Sequence, residues 1–574
     1  MKKILFLAIL IGFFLAPADV YATPPREHRI GDMGFHGGIS ESRHLPRTTE
    51  TIILLQGNNR NNNSGTITME YMEYLFFRPI PQVFQGTMEV VNEAPDAETA
   101  AGRFTVTHRF FPNESTPLVP TINRNMVFDV EYRREGQQMI YTYRIRNSTW
   151  RDVIEMREWT QLFDIDGNPV LDGEGNYVWT YLYFQYVLDH RRSTFWVSVI
   201  EDRTPGVNYY RGDVTARLFY QEFISWDGGS NGGGTWERGG LVTIEKSGQF
   251  HGYSSAWSAT ETHRMDVTVT APWAVEPWGL PFRGVLWEAG VRRPMSITYQ
   301  IRPSVTVNKL MQFVHNEPTI ISFEGNFREL HQSFAGLRFD IFTRPNFLWM
   351  EPDYGVLNMH IENIFEQLPA PNMSHIRGHS AEDDIHRLFA MQILRGDPRF
   401  FVPEQAISRG QFMTALARAI NLPIQPRPTG RGRQAVVHLF SDVSSERPEF
   451  SYIQAIVDSR VAFGRADGSF SFDEPISRQE AAATVVRALG LAAMGLDPSV
   501  ISPFADSDSI ANWAIRYTNI ALNLGLIAPD IDGNFHPNMA ISNAQAATFL
   551  NALINYLREG IVVHYADEIV NIVR

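Results

Sequence analysis

The 574-residue chain contains no cysteine. That excludes disulfides, thiolate metal sites, a cysteine nucleophile and a lipoprotein anchor, which needs a cysteine to acylate. Lysine is nearly missing too. Lys2, Lys3, Lys246 and Lys309 are the only ones among 50 basic residues, so the other 46 are arginines. The cations available for recognition are therefore planar forks suited to carboxylates and phosphates, although codon bias alone also accounts for the excess. Positive charge is scarce overall. A formal charge of −13 argues against nucleic acid as the main partner, because phosphate binding needs a basic surface. Beyond the N-terminal segment no run is long and apolar enough for a membrane helix, so no stable transmembrane segment is expected. The sequence also lacks His-Glu-x-x-His, a Walker loop and a Gly-x-Ser-x-Gly elbow. No catalytic residue, metal or cofactor is assigned, and the chain is read as a non-enzyme.

Apolar residues make up 44% and charged residues 20%, a globular balance, and the length suggests about three domains. Lys2 and Lys3 precede a mostly apolar run from Ile4 to Pro17, and Val20-Tyr21-Ala22 offers a small-residue cleavage site. Residues 1–22 read as a signal peptide, with a mature start near Thr23. The protein is expected to be exported. Without a sorting motif or hydrophobic tail at the C-terminus, retention on the cell is expected to be non-covalent.

Residues 23–368 read as β-rich, antiparallel and sandwich-like. Strand candidates include Phe104–Thr107, Met126–Tyr132, Met139–Ile145, Val178–Val187, Thr194–Ile200, Thr215–Tyr220, Leu241–Ile244, Met265–Thr270 and Met295–Ile301. Alternating aromatic and β-branched residues suit a half-buried pleated surface. Arg134-Glu135-Gly136-Gln137 reads as a hairpin turn, and Asn58–Gly65, Asp164–Gly175 and Trp226–Gly240 as turn-rich stretches. Val307–His315 is a candidate short helix. After Leu368, Pro369-Ala370-Pro371 reads as a linker and the period becomes helical: Leu388, Met391 and Ile393 on one helix, Phe412, Leu416, Ala419 and Ile420 on another.

The helical part repeats itself. Ile407-Ser408-Arg409-Gly410-Gln411, Ile476-Ser477-Arg478-Gln479-Glu480 and Ile541-Ser542-Asn543-Ala544-Gln545 are three versions of one motif, 69 and 65 residues apart. Phe401, Phe470 and Phe535 precede each isoleucine by six positions, and Phe440-Ser441-Asp442 and Phe504-Ala505-Asp506 open copies two and three. Ser408, Ser477 and Ser542 with Gln411, Glu480 and Gln545 have capping-box spacing, and each isoleucine is placed as a hydrophobic staple.

These residues resemble the S-layer homology domain. The closest copy runs from Gly378-His379-Ser380-Ala381-Glu382 to Leu416-Ala417-Arg418. The resemblance divides the C-terminal part into repeats 369–436, 437–502 and 503–560, with a tail at 561–574. It implies a mainly α-helical, pseudo-threefold module whose inter-repeat grooves bind secondary cell-wall polysaccharide, often through a terminal pyruvylated sugar. It implies ligand contact for Arg409 and Arg478, close backbone approach at Gly396 and Gly464, and an aromatic ligand position at Trp513. Copy three departs from the pattern. Asn543 replaces the arginine and Pro529 a glycine, which leaves its binding open. The other reading of the arginines is a salt bridge at a helix start, a poor place for a cation beside the helix dipole.

Other features carry less. Asp164–Asn168 and Asp172–Asn176 miss the spacing of a calcium loop and read as hairpin turns. Trp226, Trp236, Trp273, Trp278 and Trp287 read as core rather than sugar platforms. Arg211-Gly212-Asp213 is a lone tripeptide expected in a turn. His360, His375, His379 and His386 read as solvated or capping residues. The expected protein is a non-enzymatic, S-layer-like protein of the bacterial cell wall and surface, displaying its β-rich part outward, with self-association in a layer as an option. The alternatives are an anchored polysaccharide hydrolase, which needs a facing carboxylate pair, and a glycan-binding adhesin.

Overall fold

The computed structural model describes residues 65–75, 82–92, 101–112, 121–135, 138–146, 149–161, 170–176, 178–227, 235–275, 292–314, 326–343, 353–359, 364–368, 371–422, 424, 438–491 and 502–561. The signal segment, the Asp164–Asn168 turn, Trp278, Trp287, His360, Pro369-Ala370 and the tail after Ile561 lie outside these residues. The side chains of Trp226, Trp236 and Trp273 do too. The chain divides into two compact units, one largely sheet and one containing the helices.

The sheet unit contains β1 (Gly65–Leu75), β2 (Gln82–Asn92), β3 (Ala101–Pro112), β4 (Thr121–Glu135), β5 (Gln138–Ile145), β6 (Trp150–Gln161), β7 (Trp179–His190), β8 (Thr194–Arg203), β9 (Val207–Asp227), β10 (Thr235–Ser255), β11 (Ser258–Val275), β12 (Arg292–Val314), β13 (Asn326–Thr343) and β14 (Asp353–Met359). The sheet runs in the order β1-β2-β3-β4-β5-β8-β9-β10-β11-β12-β13-β14. Every pairing from β1 through β12 is antiparallel. All nine strand candidates lie in these strands except for Val178, which precedes β7. Glu135 pairs with Gln138 across the expected β4–β5 turn.

Two strand pairs, β5–β8 and β6–β7, lie between β4 and β9. β4 pairs with β6 through Thr121–Asn123 and with β5 through Phe128–Glu135. β9 pairs with β8 through Asn208–Arg217 and with β7 through Tyr220–Asp227. Near the junction His190 Nε2 lies 3.0 Å from Asp152 Oδ2, and Trp150 stacks on the imidazole at 4.2 Å. Burial alternates with period two. Phe128, Val130, Val197, Val199, Val214, Ala216, Val267 and Val269 are buried, while Asp129, Arg211, Asp213, Thr215 and Arg217 are exposed.

The strands are longer than the sequence pattern suggested, up to 23 residues in β12. Glycines interrupt the pattern, yet cross-strand packing demands them. Gly212 pairs with Phe250, and a Cβ on it would come within 2.2 Å of that ring. Arg211-Gly212-Asp213 therefore lies inside β9, not in a turn. Val307–Val314 is strand rather than helix: its apolar spacing suits either, and the ladder to β11 (Ser258↔Asn308, Thr260↔Thr306) decides. The Asp172 turn is held by its own backbone. Asp172 Oδ1 accepts from the Asn176 and Glu174 amides at 2.9 Å each, and these bonds hold its carboxyl below the usual range.

The helical unit contains α1 (Glu382–Ala390), α2 (Arg409–Ala419), α3 (Phe450–Asp458), α4 (Arg478–Ala488), α5 (Asn512–Asn523) and α6 (Asn543–Asn555). The copies interlock. α2 packs on α3, α4 on α5 and α6 on α1. The motif isoleucines do more than staple. Ile407 N–H donates to Ile541 O (3.1 Å), Ile541 N–H to Ile476 O (3.1 Å) and Ile476 N–H to Ile407 O (3.3 Å), which closes a ring. Their side chains are buried, as are Phe412, Leu416, Val485 and Leu550. Among the described residues no helix is long and apolar enough to cross a membrane.

Candidate functional site

Each motif serine starts a helix. Ser408 Oγ accepts from Gln411 N–H (3.2 Å), Ser477 Oγ from Glu480 N–H (3.4 Å) and Ser542 Oγ from Gln545 N–H (3.2 Å). The third residue reaches back: Gln411, Glu480 and Gln545 accept from the serine amides at 3.2, 3.2 and 3.0 Å. Orphan amides at the helix start are thereby satisfied. The next residue projects toward the following copy. Arg409 Nη2 donates to Phe463 O (3.0 Å) and Arg478 Nη2 to Ala528 O (3.4 Å). Arg409 lies over the Phe470 ring at 5.1 Å and Arg478 over Phe535 at 5.2 Å. Asn543 is too short for that reach, and its Nδ2 donates to Val402 O at 2.9 Å.

The aromatic step is fixed by the motif aspartates. Asp442 accepts from the Phe470 and Phe472 amides at 2.7 Å each, and Asp506 from Phe535 and His536 at the same distance. Burial raises the Asp442 carboxyl, but the amide bonds outweigh it and hold it below its usual value. In copy one His375 Nε2 hydrogen-bonds Phe401 O at 2.8 Å. His379 pairs with Glu404 and accepts the Ala381 amide through Nδ1.

A cavity of about 260 Å³ opens between copies two and three. Arg478, Phe535, Leu526, Gln545 and Phe549 line it, together with Ser380 and Ala381 of copy one. The glycines have local reasons. Gly396 adopts φ +122°, and a Cβ on Gly464 would meet the Phe440 ring at 2.2 Å. Trp513 lies on α5 with 49% of its surface exposed. Sequence reasoning missed the cavity's apolar lining and the partner of Arg409. Glu480 was read only as a cap, yet its Oε1 also accepts from Arg409 Nη1 at 3.2 Å. Glutamine at both equivalent positions is the signal: capping does not require the charge.

The three interlocked copies coincide with matches to the S-layer homology domain family at residues 372–413, 439–482 and 503–547. The chain carries three S-layer homology domains. Its relatives include an S-layer protein of Bacillus licheniformis, 28% identical over 174 residues, covering 30% of this chain and 18% of the relative. An endoglucanase of Bacillus sp. (strain KSM-635) is 26% identical over 174 residues, 30% of this chain and 17% of the relative. A cell surface protein of Thermoanaerobacter kivui is 30% identical over 112 residues, 19% and 15%. The chain thus spans less than a fifth of the length of these relatives. Its S-layer homology domains and these relatives mark an exported protein of the bacterial cell surface.

Proposed function

We propose that the S-layer homology domains tether this protein non-covalently to secondary cell-wall polysaccharide and that the β-rich unit is displayed outward without enzymatic activity. The observation that carries this reading is the cavity between copies two and three, which joins the Arg478 guanidinium to the Phe535 and Phe549 rings. An arginine fork takes a carboxylate in two parallel bonds. A terminal sugar bearing a pyruvyl group supplies that carboxylate. The three copies act as one pseudo-threefold module, supported by the isoleucine ring and the cyclic helix packing. The β-rich unit is sandwich-like, a reading supported by one-sided burial along β4, β8, β9 and β11. Self-association into a surface layer fits the S-layer relatives.

The test uses the full chain and purified peptidoglycan sacculi, with and without their secondary polymer. Retention that disappears with the polymer, and on Arg478→Ala, is expected. Equal retention on stripped sacculi overturns the proposal. An anchored polysaccharide hydrolase is the second reading, favoured by the endoglucanase relative, whose likeness is confined to the S-layer homology region. Release of reducing sugar from wall or plant polysaccharide by the purified chain would support it. Glycan binding by the sheet unit without cleavage would instead favour an adhesin.

A further inference from the structure

The two motif arginines occupy equivalent places and meet different chemistry. Arg409 is 7% exposed and already holds an anion, since Glu480 Oε1 accepts from its Nη1 at 3.2 Å and from Arg465 Nη2 at 3.4 Å. Glu480 Oε2 meanwhile caps α4. Glu474 lies 4.0 Å from Arg465, so Arg409 and Arg465 face two carboxylates. A third arginine, Arg487, is turned over the Phe463 and Tyr517 rings. Among the described residues no carboxylate hydrogen-bonds Arg478. Position 545, which corresponds to 480, is glutamine. The nearest acids, Asp506 and Asp530, spend their oxygens on backbone amides and on His536. The cavity lies on the Arg478 side.

We propose that Glu480 is a built-in occupant of the Arg409 groove, and that an anionic sugar therefore binds at one groove only, the one containing Arg478. This rests on the polysaccharide-binding reading of the same module. A carboxylate on the ligand would have to displace a carboxylate of the protein to reach Arg409. At Arg478 it meets a guanidinium whose hydrogen bond goes to the Ala528 carbonyl, while Asp506 and Asp530 act on it only through space. Copy three offers neither, because Asn543 carries no charge. The chain then has one anion site among three structurally similar positions, and the residue that decides this is a cap whose charge the cap does not need.

The full chain is titrated by calorimetry with a methyl glycoside bearing a 4,6-pyruvate ketal, and in parallel with wall polysaccharide released from sacculi. The wild type is expected to bind one equivalent. Arg478→Ala should weaken binding at least about tenfold, the worth of a charge-assisted pair, while Arg409→Gln leaves affinity within about twofold. Glu480→Gln keeps the capping box used by copies one and three and should add a second equivalent at the Arg409 groove. The comparison of Arg478→Ala with Arg409→Gln stands even if Glu480→Gln fails to fold. Loss of binding with Arg409→Gln, or two equivalents in the wild type, overturns the assignment of Glu480 and leaves the polysaccharide reading intact. Absence of binding to both ligands in the wild type overturns that reading, and this inference with it.

Discussion

The sheet unit is held by residues far apart in sequence, and the helical unit by a short signal used three times. Phe250 covers Gly212 from the next strand, and Asp152 meets His190 across 38 residues. In the helical unit a serine and the residue three places on close each cap, and the copies then meet through equivalent contacts. The difference teaches where specificity resides. A sheet of this length has no local instruction for register beyond alternation, so aromatic–glycine pairs and a buried polar pair supply it.

The largest test of this contrast is core truncation. Phe412→Ala should cost the helical unit about 3–5 kcal/mol and Trp257→Ala the sheet unit about the same. Each should lower one calorimetric transition and leave the other in place. A common shift of both would break the comparison. Next is pH. Burial pushes the Tyr253 hydroxyl up to about 12, opposed in part by its bond to Ser258. Its folded-state value lies above the unfolded one, so its contribution is intact below about pH 10 and disappears toward 12, a loss of about 2–3 kcal/mol from the sheet unit. The helical unit should fail at the other end. Arg399 holds the Asp397 carboxyl at about 2, and Asp467 and Asp530 are lowered by Ser469 and by the Asn534 amide. Depressed carboxylates stabilise above the unfolded value near 4 and lose that contribution as pH falls toward 2. Circular dichroism melts across both ranges check the opposite signs.

A smaller effect sharpens the register argument. A Cβ at position 212 would also lie 2.5 Å from Ser198 O, which cannot rotate away. Gly212→Ala should therefore cost about 1–3 kcal/mol, read from denaturant melts, whereas an alanine in an ordinary strand position is nearly neutral. The smallest is the cap series. Ser408→Ala, Ser477→Ala and Ser542→Ala should each cost about 1 kcal/mol, in equal amounts. Unequal costs would mean that the copies are not used alike.

This contrast also governs what the sequence made legible. Ser408, Gln411 and their counterparts sit three residues apart, so the spacing alone specifies the hydrogen bonds, and repetition makes the signal specific. The nine strand candidates were legible from alternation. Their length was not, because Gly248 and Gly252 look like breaks until the covering side chains are known. Val307–Val314 has apolar spacing that serves a helix as well as a strand, and only β11 decides. At the candidate site the arginines were legible as a pair, but their inequality was not. Arg409 and Glu480 are 71 residues apart, and nothing local links them.

The isoleucine ring has a consequence for how such a protein can change. A circuit of three donors and three acceptors has no end, so removing any one copy leaves an amide and a carbonyl exposed on its neighbours. The count is fixed by closure, as the number of staves is fixed in a cask. The backbone of Ile541 completes that circuit whatever side chain stands two residues later. Position 543 is thus free to drift from arginine to asparagine while the segment carrying it stays indispensable, and chemistry can be lost from a member that architecture cannot spare.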